Sequence, residues 1–153
     1  APVIVAVGVA GIIGTFLGGR AVDALGPPRA LLAFLIGVFA APAAMVLLGL
    51  VGGPYPVLLV GALFVLYGVA TWGISPATQA WLLHRAGASS ANELIALQNS
   101  TMFLGFSVAG GVGGLALKTG GPAAVPVIAC GCVAAGLVLF MTAFRRGIGE
   151  DES

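Results

Sequence analysis

Charge is the first thing this 153-residue sequence lacks. Charged residues make up 7%, six basic and five acidic, against about 25% in an ordinary soluble domain. So few charges cannot clothe a water-soluble globule. That excludes a soluble enzyme, a nucleic-acid binder with a basic face and a disordered regulator. One histidine and two cysteines leave little for metal or redox chemistry. His84 stands beside Arg85 at the end of an apolar run and reads as an interfacial residue. Cys130 and Cys132 are two apart. On a helix they point about 200° from each other, which forbids a mutual disulfide and a shared metal site. No G-x-S-x-G, H-E-x-x-H or Walker A run occurs, so no enzymatic activity, cofactor or metal ion is expected. Asp23 and Glu93 both sit near the ends of apolar runs, so no buried carboxylate of the usual pump type is visible.

What the sequence has is apolar length. Hydrophobic residues make up 59% and the mean hydropathy is +1.14. Residues 1–19, 94–117 and 119–144 carry no charge, and the gap 30–84 holds only His84 and two tyrosines as ionisable groups. A transmembrane helix needs about 20 mostly apolar residues. These runs are continuously apolar rather than alternating, which argues against barrel strands. Breakers divide them into five predicted helices, 1–19, 30–51, 55–83, 93–117 and 123–144, with a soluble tail over 145–153. The fold class expected is therefore an all-α membrane protein with five transmembrane helices. The chain starts at Ala1 and enters an apolar run at once, with no basic segment before it. That argues against a signal peptide and suggests a chain cut inside or beside a span.

Arginine sets the expected orientation. Arg20, Arg29, Arg85, Arg145 and Arg146 fall on one side and only Lys118 on the other. The positive-inside rule then places the N-terminal end outside and the C-terminal tail in the cytoplasm.

Three helices carry more than packing residues. Gly8, Gly11, Gly14 and Gly18 share roughly a third of the first helix. They suit close helix contact or a sliding interface; ordinary membrane packing is the plainer reading, and the two are compatible. In the third helix Tyr67, Thr71, Ser75, Thr78 and Gln79 form a stripe about 120° wide, with Trp72 at its edge. Polar groups facing lipid are costly, so the stripe faces a polar cavity or other helices. Bonding of hydroxyls to their own helix carbonyls is the plainer alternative. Pro76 predicts a kink in that helix. In the fourth helix Gln98 and Asn99 are adjacent amides about 100° apart. Asn99, Ser100, Ser107, Gly110, Gly111 and Gly114 share a face. These amides suit a ligand cavity or contacts between helices. The second and fifth helices offer almost nothing polar. The substrate-cavity candidates are Tyr67, Thr71, Ser75, Gln79, Gln98 and Asn99.

The run Gly14-Thr15-Phe16-Leu17-Gly18-Gly19-Arg20-Ala21-Val22-Asp23-Ala24-Leu25-Gly26-Pro27-Pro28-Arg29 resembles the loop signature of the major facilitator superfamily. Gly19, Asp23, Gly26 and Arg29 match it. Ala24 and Pro27 replace its usual basic residues, as is more typical of that family's C-terminal half. The run from Pro76 to Gln79, then Gln98-Asn99-Ser100, Gly105, Gly113 and Gly114 is similar to helices ten and eleven of the drug-proton antiporter branch, which includes arabinose-efflux-like permeases. The resemblance implies helices eight to twelve of a twelve-helix transporter in the cell (inner) membrane. It implies proton-coupled efflux of a small drug-like or sugar-like solute by alternating access. The implied partners are the missing N-terminal half, the bilayer, the substrate and protons, with no nucleic acid. Gly19, Arg20, Asp23, Gly26 and Arg29 would form the gating loop. A facilitator or importer of another solute, or a non-transporting membrane subunit, stays open beside this reading.

Overall fold

A computed structural model of the chain describes residues 2–52, 56–86 and 90–150. The expected starts at Ala1 and Tyr55, part of the turn over 84–92 and the last three tail residues lie outside the described residues. Five helices follow one another: α1 Pro2–Leu25, α2 Pro27–Val51, α3 Val57–Ala86, α4 Ala91–Gly120 and α5 Ala124–Glu150. All five are long and apolar enough to cross a membrane. The protein is a multi-pass, all-helical membrane protein. Helix is what the bilayer demands, because a spanning backbone must satisfy its own hydrogen bonds.

The helices outrun their predicted ends. Nothing in the stretch after residue 19 breaks a helix, so α1 continues to Leu25. It stops where Gly26 adopts φ 80°, a conformation that a side chain would resist. The Gly26 N–H donates to Val22 O at 3.0 Å, closing the last turn. Gly52 (φ 70°) and Gly121 (φ 69°) end α2 and α4 in the same way, donating to Leu48 O and Leu117 O. Pro27 and Pro28 open α2, where their fixed φ suits a first turn. Glu93 in the first turn of α4 and Lys118 in its last complement the helix dipole. The segment 145–150, expected to belong to the tail, continues α5. Pro42 and Pro76 both sit inside continuous helices.

Small residues decide the packing. α3 is the hub and takes α1 and α2 on adjacent faces. On the α1 side, a Cβ added to Gly18 would lie 2.7 Å from Gly73 O, and one on Gly14 would strike Val69 O. On the α2 side, the Phe34 ring fills the space a Gly73 side chain would need. Ala30, Leu31 and Ala77 are buried together, with Val22, Ile74 and Phe140 packed around them, so α5 joins the same cluster. Trp81 meets Phe140 edge-on at 5.8 Å. α4 stands apart. It touches only α3 and α5 among the described residues, and Ala116 is its sole buried residue. Large apolar side chains point outward around the whole bundle, as suits a lipid surround.

Candidate functional site, a cleft between α3 and α4

The loose seat of α4 leaves a cleft of about 530 Å³ against α3. Five hydroxyl and amide side chains line it: Thr71, Ser75 and Thr78 from α3, and Gln98 and Thr101 from α4. The rest of its wall is apolar or aromatic, chiefly Trp72, Ile74, Leu97 and Phe106. No ionisable side chain lines it among the described residues.

The hydroxyls divide into two sets. Thr78 Oγ1 donates to Ile74 O at 2.9 Å, and Thr101 Oγ1 donates to Leu97 O at 2.8 Å. Thr15, Ser100, Ser107 and Thr119 likewise bond the carbonyl four residues back. For these the plainer reading holds, and each hydroxyl satisfies itself on its own helix. Thr71 Oγ1 and Gln98 Oε1 do not. Both atoms are buried and neither has a hydrogen-bond partner. They come from facing helices and line the same cleft. Buried polar groups are nearly always paired, so two orphans on one cavity wall call for an explanation. Pro76, which has no N–H, also deprives the Trp72 carbonyl of its usual helical donor.

The cleft gathers half of the expected cavity residues. Thr71, Ser75 and Gln98 meet there. Tyr67 opens instead into two other clefts, of about 690 and 600 Å³, bordered by α5. Gln79 is half-buried off the cleft wall. Each four-residue step along α3 turns about 40° further, so a stripe of this length is wider than the cleft. Asn99 is exposed and lies off the cleft wall. Its face of α4, with Gly110, Gly111 and Gly114, points away from α3, and a Cβ on any of these glycines would meet nothing within 4 Å. Leu94, Leu97, Thr101, Met102 and Phe106 were not singled out by the sequence. Their three- and four-residue spacing around Gln98 is the signal that marks one helix face.

The glycine face of α1 lies on α3. Gly11 rests on the Trp72 ring, and Gly14 and Gly18 on the α3 backbone. Only Gly8 is left free, beside a groove of about 650 Å³ that shares Trp72 with the main cleft.

The residues expected to form the gating loop lie mostly on helices. Gly19, Arg20 and Asp23 belong to the last turns of α1, and Arg29 belongs to the first turn of α2, so Gly26 alone is the connection. Asp23 is exposed and makes no ion pair or hydrogen bond among the described residues. Two features bear on this. Helical side chains lean toward the N-terminus, and the Arg20 guanidinium accordingly sits over the Phe16 ring, 5.6 Å from its centre. Pro27 and Pro28 have no N–H to give, and the Ala30 N–H already donates to Gly26 O. Arg20 is thus engaged and the first backbone donors of α2 are missing, while Arg29 is exposed and makes no ion pair with Asp23 among the described residues.

No protein-family model matches the chain, and neither a curated protein nor a solved structure does so.

Proposed function

We propose that this chain is the C-terminal part of a major-facilitator-type secondary transporter that exports a small, partly apolar solute in exchange for protons. Its helices would correspond to helices eight to twelve, with the C-terminus in the cytoplasm of the cell membrane. The α3–α4 cleft is the observation that carries this reading. Five hydroxyl and amide side chains from two facing helices meet on one cavity wall, and two polar atoms there have no partners. Polar groups within spans are expensive and mark solute pathways. The free Asn99 face of α4 supports a second helical bundle packing opposite, as alternating access between two halves requires. Asp23, with no local partner, would make its gating contact with that second bundle.

The test is transport by the full-length protein in proteoliposomes. With a lipophilic dye inside, a pH step across the membrane should speed dye loss over protein-free liposomes. Thr71→Val should slow that loss. Rates equal to protein-free liposomes across a panel of dyes and neutral solutes would refute the proposal.

A second reading is favoured by the same exposed α4 face. Three glycines on it, Gly110, Gly111 and Gly114, have nothing packed on them, as suits a membrane subunit that docks onto partner helices without transporting. Co-purification of a stoichiometric membrane partner, with no dye movement by the complex, would select it.

A further inference from the structure

We propose that the α3–α4 cleft binds an uncharged, ring-bearing solute that presents an N–H or O–H donor to Gln98 Oε1 and is met by the Thr71 hydroxyl. The inference rests on the cleft being a solute site, and it narrows the solute to one chemical class.

The wall has donors in the Ser75 hydroxyl, the Gln98 amide N–H groups and the Trp72 indole N–H, and what it leaves unmet is an acceptor. Thr78 and Thr101 already donate their protons to Ile74 O and Leu97 O, so their oxygens can only accept. Gln98 Oε1 is an acceptor by nature, and it is buried without a donor. Thr71 Oγ1 is buried and unpaired as well, free to donate or accept. A solute that brings a donor therefore repairs a defect already in the wall. One that brings only acceptors leaves Gln98 Oε1 unpaired.

Charge is selected against for the same reason that charge is scarce in the whole chain. No ionisable group lines the cleft among the described residues, so a buried ion would meet no counter-charge. A sugar fits poorly too. The wall offers few free polar groups for its many hydroxyls, and each one buried without a partner weakens binding roughly five- to 150-fold. Flat apolar surface is what the cleft does supply. Trp72 and Phe106 line it, and Phe106 is braced edge-on by Phe103 at 6.3 Å between ring centres. A volume of about 530 Å³ suits a small ring system.

Naphthol and its methyl ether are matched probes, alike in ring and differing in the donor. Equilibrium dialysis against lipid nanodiscs holding the full 153-residue chain, with empty nanodiscs subtracted, measures both. Naphthol should bind about two- to tenfold tighter than the ether, the worth of one neutral hydrogen bond. Gln98→Met should bring the ratio to about one, while Gln79→Leu should leave it unchanged. Thr71→Val, nearly the same shape, should reduce naphthol binding and serves as the test if Gln98→Met fails to fold. Equal binding of the two probes, a ratio that survives Gln98→Met, or glucose bound as well as naphthol would each overturn the proposal. Binding is read without transport. Donor-selective binding with no dye movement would sink the transporter reading alone, and dye movement without donor selectivity would sink this one alone.

Discussion

A methyl group on Gly14 runs into the carbonyl oxygen of Val69 and comes within 3.0 Å of Trp72 Cβ. Neither neighbour can yield by rotating a side chain, because one is backbone and the other is anchored to it. Gly18 is as tight, with a new Cβ 2.7 Å from Gly73 O and 3.0 Å from Gly73 Cα. Gly8 and Gly19, on the same helix, have nothing within 4 Å. Alanine at Gly14 or Gly18 must therefore push α1 and α3 apart. A separation of about half an ångström forfeits roughly a quarter of each dispersion contact along that seam. Overpacking of this kind costs about 1–3 kcal/mol. For a chain of this size that is a fall in Tm of roughly 2–12 °C. Gly8→Ala and Gly19→Ala meet no obstacle and relieve glycine's helical penalty of about 0.5–1 kcal/mol, so their Tm should hold or rise. Thermal unfolding of the four purified variants in one detergent, followed by circular dichroism, measures the difference. Equal shifts at all four positions, or a neutral Gly14→Ala, would refute the claim that this glycine face is a close-packed seam with α3.

Three further outcomes follow from the same geometry. With Cys130 and Cys132 replaced by Ser, a membrane-impermeant thiol reagent should label Thr119→Cys from outside intact cells and Ser90→Cys only after permeabilisation; the reverse pattern would overturn the arginine-based orientation. In the full-length protein, Gln98→Leu should lower dye transport at least about tenfold, on the scale of a lost buried polar contact, whereas Gln79→Leu should not; equal losses at matched expression would dissolve the distinction between cleft and stripe. Asp23→Asn should shift stability by less than about 0.5 kcal/mol, as for an exposed side chain without a partner, yet reduce turnover while leaving solute affinity intact; normal turnover would remove Asp23 from gating.

Much of the site could be read in the sequence, and its limits have a physical cause. A hydroxyl at Thr71 and one at Thr101 look alike in a sequence. Which bonds its own helix and which stays unpaired depends on side-chain rotation and on the neighbour facing it. Gln98 and Asn99 were equal candidates because a helix fixes the angle between adjacent side chains but not its own rotation about its axis. The Arg20 guanidinium could have reached Asp23, three residues on. Its lean toward the N-terminus put it on Phe16 instead.

The five spans were determined by the sequence alone. A bilayer leaves an apolar segment of some 20 residues no conformation but helix, since every backbone group must be paired within it. Gly26, Gly52 and Gly121 set where three of those helices stop, because only glycine takes positive φ without strain. The tertiary structure decided the rest. It seated the α1 glycines on α3, turned Gln98 toward Thr71 and left the Asn99 face of α4 open. Those outcomes depend on which small residues meet across an interface. Interhelical contact in lipid is governed by fit rather than by hydrophobicity, and fit exists only once two surfaces have been brought together.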